Sequence, residues 1–424
     1  MTSFFTTIKT RSVATLTVAA ALAIGTLAAG VPATASPIST ADLPGAVSIA
    51  ATTTVQRLSG ADRYATAVAV SATYPVGVPV VYIASGANFP DALSAAPAAA
   101  HLGGPLLLTS PGSLPAIVHD EIARLQPTLI VVTGGTASIS DGVYGELAGL
   151  ADSIRRDAGA DRYATSRAVN AAAFPGGSTG AYVATGRNFP DALSASAAAG
   201  STNSPVLLVN GTDGALDGGT RTLINSLGVT HVTLAGGTAA VSSSIENDLS
   251  GLLGTSNVRR QSGADRYQTS SAINRGSFTS SPTVYLATGT GFADALAGAA
   301  LAGRNHAALY VVPSNCVSDA TVSDMQALGT TQRILLGGAN SLNADVEANL
   351  ACSALPVPAP EPAPAPAPVP SAPGNPGNTK NCSDFANWND AQTWYLTYKP
   401  YYGDIAQLDG DDDGIACENL PGHP

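Results

Sequence analysis

Lysine is absent between Arg57 and Cys352, where 15 arginines stand among 20 acidic residues. Every cation of that stretch is therefore a planar guanidinium, suited to bidentate contact with phosphate or carboxylate. An arginine bias in genome composition accounts for the same pattern. Positive charge is scarce in the chain as a whole. The formal net charge is −11, and Lys380 to Pro424 carries 2 lysines against 8 acids. That argues against general nucleic-acid binding, which needs a clustered positive surface. Long apolar runs are missing beyond the first thirty residues, and there is no hydrophobic carboxy-terminal tail, so no membrane span is expected in the mature chain. Catalytic signatures are missing too: no Gly-x-Ser-x-Gly elbow, no His-Glu-x-x-His, and no phosphate loop with its lysine. The five histidines, His101, His119, His231, His306 and His423, do not recur at matching positions of the repeats described below. A non-catalytic protein is the expectation.

What is present is globular. The chain has 424 residues, 45% of them hydrophobic, enough for several domains with real cores. Residues 1–35 read as a secretory signal: Lys9 and Arg11 supply the positive start, Val13 to Gly30 the apolar stretch, and Ala33-Thr34-Ala35 a small-residue cleavage site. The competing reading of that stretch is an uncleaved anchor. In an exported chain the even cysteine count suggests disulfides. Of three connectivities, pairing Cys316 with Cys352 and Cys382 with Cys417 is the simplest.

The dominant feature is repetition. Gly60-Ala61-Asp62-Arg63-Tyr64 returns unchanged at Gly159 to Tyr163 and at Gly263 to Tyr267, spaced by 99 and 104 residues. Such spacing marks three domain-sized units, taken as residues 57–152, 155–252 and 258–352. In the first, Arg63 to Thr73 carries a helical stripe of small apolar residues and Val78 to Ala84 reads as a buried strand. Pro90 to His101 reads as a helix with proline at its first position. A strand (Pro105 to Thr109), a helix (Leu114 to Leu125) and a strand (Leu129 to Thr133) follow, and a last helix starts near Ser140-Asp141. This alternation predicts a three-layer α/β unit with a parallel sheet. Residues 36 to 56 show no clear periodicity.

Within each unit, Asp62, Asp161 and Asp265 stand where a helix cap belongs, and Asp91, Asp191 and Asp294 fall in a helix first turn. Arg63, Arg162 and Arg266 are either partners of a nearby carboxylate or ligand contacts. The double glycines Gly134-Gly135, Gly236-Gly237 and Gly337-Gly338 bare backbone N–H groups between strand end and helix start, where α/β sheets bind ligands and phosphate is a common guest. Three weak sites on one polymer would reinforce each other through effective concentration.

Residues 356–379 are Pro-Ala alternation followed by Pro-Gly-Asn, a semi-rigid spacer. In residues 380–424, Phe385, Trp388, Ala391 and Tyr395 recur at helical spacing, predicting one apolar helix face. Asp409, Asp411 and Asp413 followed by Gly414 reproduce the first half of an EF-hand loop, with a backbone carbonyl due at Ile415. Hard oxygens of this kind favour Ca²⁺ over zinc or copper. The pattern departs at its far end, because Leu420 occupies the twelfth position and Glu418 comes two residues early.

Two resemblances follow from these words. Asn381-Cys382-Ser383-Asp384-Phe385, Ala391-Gln392 and the run from Asp409 to Glu418 resemble the Excalibur calcium-binding domain, an extracellular bacterial module. The resemblance implies a Cys382–Cys417 disulfide and Asp409, Asp411, Asp413 and Glu418 as Ca²⁺ ligands. Gly-Ala-Asp-Arg-Tyr, Asn-Phe-Pro-Asp-Ala-Leu-Ser-Ala (Asn88 to Ala95) and the late double glycine resemble the type 2 cell-wall-binding repeat of Gram-positive bacteria. That implies three open α/β units, Rossmann- or Toprim-like, packed about a pseudo-threefold and attached non-covalently to an anionic wall polymer. The expectation is a secreted, wall-associated binding protein with a calcium-binding module. A wall or nucleic-acid hydrolase anchored by the repeats and a calcium-dependent adhesin are the alternatives.

Overall fold

The computed structural model describes residues 53–355 and 372–423; the stretch read as a secretory signal and most of the Pro-rich spacer lie outside the described residues. The first repeat runs β1 (Thr54–Leu58), α1 (Arg63–Ser71), β2 (Val80–Ser85), α2 (Pro90–His101), β3 (Leu106–Thr109), α3 (Ala116–Leu125), β4 (Leu129–Thr133) and α4 (Asp141–Ala148). The second runs β5 (Ser153–Asp157), α5 (Arg162–Ala173), β6 (Gly180–Thr185), α6 (Pro190–Ser201), β7 (Val206–Val209), α7 (Gly218–Ser226), β8 (His231–Ala235) and α8 (Ser243–Leu253). The third runs β9 (Val258–Gln261), α9 (Arg266–Ser277), β10 (Thr283–Thr288), α10 (Ala293–Arg304), β11 (Ala308–Val312), α11 (Asp319–Ala327), β12 (Gln332–Leu336) and α12 (Ala344–Glu347). Strands such as Val80–Ser85 are buried along their whole length and mostly apolar because both faces are covered, as in parallel sheets.

Three parallel four-stranded sheets result, ordered β3-β2-β4-β5, β7-β6-β8-β9 and β11-β10-β12-β1. One edge strand of each comes from a neighbouring repeat. β5 pairs with β4 and β9 with β8, and the ring is closed by β1, which pairs with β12 with Leu58 opposite Leu336. These edge strands have no counterpart in the sequence reading.

At the centre, α2, α6 and α10 pack against one another. Each is buried on nearly every side, as a helix apolar all round must be, and small residues let the backbones approach. The closest approach joins Ala100, Gly200 and Gly303: a Cβ on Gly200 would stand 2.9 Å from the Ala100 Cβ and 3.0 Å from the Gly303 Cα. Only one of the three positions has room for a methyl group. At the opposite, N-terminal end of the same helices, Phe89, Phe189 and Phe292 meet edge to face, with centroids 5.7, 5.7 and 5.9 Å apart. These near-equal distances mark the pseudo-threefold axis.

The carboxy-terminal module is a small core of Ala391, Tyr395, Ala406, Leu408, Ala416 and Cys417 under α13 (Trp388–Tyr402). Its apolar face is narrower than expected. Ala391 and Tyr395 are buried, Phe385 precedes the helix, and Trp388 packs on His423 while Trp394 borders the core. Disulfides join Cys316 to Cys352 and Cys382 to Cys417, the second stapling a core too small to hold alone. No helix among the described residues is long and apolar enough to cross a membrane.

Candidate functional site

The repeated Gly-Ala-Asp-Arg-Tyr word is a helix start. Asp62 accepts the Ala65 amide at 2.8 Å, Asp161 that of Ala164 at 2.7 Å and Asp265 that of Gln268 at 2.8 Å. The tyrosine of the word lies on the glycine that ends the next strand: a Cβ on Gly86 would stand 2.8 Å from the Tyr64 ring, and Gly186 and Gly289 meet Tyr163 and Tyr267 in the same way. The carbonyls of those glycines accept from Arg63, Arg162 (2.8 Å) and Arg266. The arginines are thus held by a carbonyl and not by a carboxylate. All three are exposed, and among the described residues none makes an ion pair.

The double glycines divide into two roles. Gly134, Gly236 and Gly337 have φ of 99, 109 and 103°, and a Cβ there would fall 2.3, 2.5 and 2.4 Å from a carboxylate oxygen of Asp91, Asp191 and Asp294. They are glycine for backbone conformation and for that approach. Gly135, Gly237 and Gly338 have nothing within 4 Å of such a Cβ and stand open. A second arginine set was missed in the sequence. Arg57, Arg156 and Arg260, six residues before Arg63, Arg162 and Arg266, donate to the carbonyls of Gly337 (2.8 Å), Gly134 (2.9 Å) and Gly236 (2.8 Å). Each also reaches a carboxylate, Glu347, Asp141 or Glu246. The signal was visible as Arg-x-x-Gly-Ala-Asp-Arg, repeated three times.

These groups meet between repeats, not within one. A cleft of about 750 Å³ separates the third repeat from the first, lined by Asp62 and Arg63 on one wall, Asp294, Gly338 and Ser341 on the other, and all three phenylalanines. Its counterpart between the second and third repeats, about 300 Å³, holds Gly237 and Asp191 against Asp265 and Arg266. Both lie beyond the carboxyl ends of parallel strands, where such sheets bind ligands. Helices α2, α6 and α10 start there with no side-chain cap, leaving first-turn N–H groups and a positive dipole end toward the clefts.

The three half-buried aspartates differ. Ser138 donates to Asp91 and Ser341 to Asp294, both at 2.8 Å, whereas the position equivalent to those serines in the second repeat is Ala240. Burial raises the pKa of Asp91, opposed by the Ser138 hydrogen bond and the Arg162 charge. With only Arg266 opposing burial, the Asp191 pKa rises to about 6.

In the carboxy-terminal module, carboxylate oxygens of Asp409, Asp411 and Asp413 lie within 4.8 Å of one another, while exposed Glu418 stands outside the cluster, after a left-handed turn at Cys417. Tyr395 donates to buried Asp409, as do the amides of Asp413 (3.1 Å) and Gly414 (2.9 Å), and Lys399 stands 3.5 Å away. The Tyr395 hydrogen bond holds the Asp409 carboxyl below the usual range, against the effect of burial. Gln392 ties the loop to α13 through Gly414 and Ala416, at 2.9 and 2.6 Å. The donor set fits a hard cation: Oδ1 of Asp409 accepts one amide and keeps a lone pair.

A model of the family described as cell wall binding domain 2 (CWB2) matches residues 57–144, 156–246 and 260–347, and a model of the Excalibur calcium-binding domain matches 379–418. The chain is 28% identical over 300 residues to N-acetylmuramoyl-L-alanine amidase LytC of Bacillus subtilis (strain 168), covering 69% of this chain and 58% of the amidase. It is 31% identical over 296 residues to the amidase enhancer of that strain, covering 70% of this chain and 40% of the enhancer. The chain thus spans about half the length of the curated relatives it matches. Among solved structures, Cwp6 from Clostridium difficile matches with a TM-score of 0.64 at 24% identity, over 72% of this chain and 49% of Cwp6. Cwp8 from the same organism matches at 0.63 and 24%, over 69% and 50%. The two structures share the fold.

Proposed function

This chain belongs to the cell wall binding domain 2 family, and on that premise we propose that it is a secreted, non-catalytic protein held non-covalently on an anionic polymer of the cell wall. The observation that carries the reading is the junction cleft. An arginine that makes no ion pair among the described residues, an open glycine N–H and an uncapped helix start converge there from two repeats. Arg63, Arg162 and Arg266 are the charged contacts, and Gly135, Gly237 and Gly338 offer backbone donors to phosphate or carboxylate oxygens. Gly134, Gly236 and Gly337 hold the turn that presents them. Weak clefts on one polymer gain through effective concentration.

The Excalibur module binds Ca²⁺ through Asp409, Asp411 and Asp413 with the Ile415 carbonyl, and Glu418 joins only if the chain after Cys417 moves toward the cluster. Bound there, the ion neutralises three adjacent carboxylates and fixes the loop against α13. The test is co-sedimentation of the purified chain with cell walls. Binding is expected, and its loss when anionic polymers are stripped; equal binding to stripped walls overturns the polymer assignment. A wall zymogram run on the same samples is expected to show no clearing. Clearing would instead favour a hydrolytic role, in keeping with the likeness to a named amidase.

A further inference from the structure

We propose that the clefts read a sugar ring as well as a negative charge: Phe89, Phe189 and Phe292 form a shared floor on which a pyranose unit of the polymer lies, with its anionic substituent turned toward Arg63. The inference rests on the wall-polymer reading and narrows it to a polymer with saccharide rings in its chain, as against a bare polyol phosphate.

Three observations carry it. The phenyl rings are half-buried and pack edge to face on the axis, and the Arg63 guanidinium stands 5.7 Å from the Phe292 centroid, so that cation and aromatic surface adjoin in the cleft. All three line the cleft between the third and first repeats, and Phe189 also lines the one between the second and third, so the two clefts meet across the floor. The walls hold acceptors beside the cation: Asp62 and Asp294 flank Arg63. A phosphate needs donors only and is repelled by those carboxylates. A hydroxyl-bearing ring supplies donors to them, lays its C–H face on a phenyl ring, and still presents an anionic group to the guanidinium. An apolar floor with a few placed polar groups is the usual make-up of a small-ligand site, and the cleft has the volume of one.

The test compares wall-binding isotherms of the full-length chain and its Phe189→Leu variant, which keeps apolar bulk and removes the ring. Binding about five-fold weaker is expected, from the worth of one aromatic contact, with an unchanged slope against salt concentration. Binding equal to wild type overturns the sugar floor and leaves wall attachment standing, whereas absent wild-type binding overturns both. Should Phe189→Leu fail to fold, saturation-transfer NMR on wild type, deuterated everywhere except at phenylalanine, reads the contact directly with polymer solubilised from the walls. Transfer to sugar ring protons is expected, and none from a bound polymer overturns the proposal. Sedimentation velocity is expected to show a monomer. Self-association abolished by Phe189→Leu would give the face to a second copy and overturn it.

Discussion

Gly337 and Gly338 are adjacent and are glycine for different reasons, which makes them separable by substitution. Alanine at 337 must adopt φ 103° and place its methyl group 2.4 Å from the Asp294 carboxylate. Gly337→Ala is therefore expected to cost more than about 2 kcal/mol in chemical denaturation. Gly338→Ala meets nothing within 4 Å, so its stability should stay within about 0.5 kcal/mol of wild type. Its wall binding should nevertheless fall, because a methyl group obstructs the approach to the backbone N–H. Asp191 makes the second prediction at this scale. Its folded-state pKa of about 6 stands above the ordinary 3.8, so the folded chain holds the proton more tightly than the unfolded one. Stability from this group is fully present below about pH 4, declines as pH rises to about 6 and is flat above. Asp191→Asn should thus be more stable than wild type at pH 7.5, by up to about 3 kcal/mol, with the advantage gone at pH 4. Thermal melts across that range check it. None of this was legible in the sequence, where the three aspartates share one motif position; the difference lies in Ala240, forty-nine residues further along the chain.

At the scale of elements, the helices and buried strands were readable because periodicity and apolar runs report burial directly. Pro90–His101 and Leu129–Thr133 have the same bounds in sequence and structure. The edge strands were not: Thr-Val-Gln-Arg-Leu and Val-Arg-Arg-Gln are polar, half-exposed and defined by a hydrogen-bonding partner in another repeat. A chain truncated before Ser59 loses β1 and leaves β12 as an unprotected edge. Native-state hydrogen exchange should then quicken in Gln332–Leu336 while β4 and β8 keep their protection. In the carboxy-terminal module the acidic loop is predicted to draw stability from Ca²⁺. Excess Ca²⁺ should raise the calorimetric transition of Lys380–Pro424, and Asp411→Asn should diminish the shift. An unchanged transition in wild type would count against the site.

For the whole molecule, the ring makes the proposed wall binding depend on neighbouring repeats. Every cleft draws one wall from each of two neighbours, so a single excised repeat presents half-sites. Replacing Arg63, Arg162 and Arg266 by glutamine one at a time should weaken wall binding modestly. The triple variant should lose far more than any single one, since the clefts act on one polymer. Salt titration of the same isotherms should show a shallower slope as arginines are removed.

The sequence by itself determined the number of units, the kind of each element, the capping aspartates and the acidic loop, because all of these are local and their physics is written in spacing and residue type. The tertiary structure alone decided which repeat completes which sheet and that Arg63 faces Asp294 and Gly338. Three near-identical words carry no signal to separate pairing within a repeat from pairing with the next. That choice falls to the packing of α2, α6 and α10, whose small residues allow the backbones close enough to bring the three helix starts, and the clefts between them, around one axis.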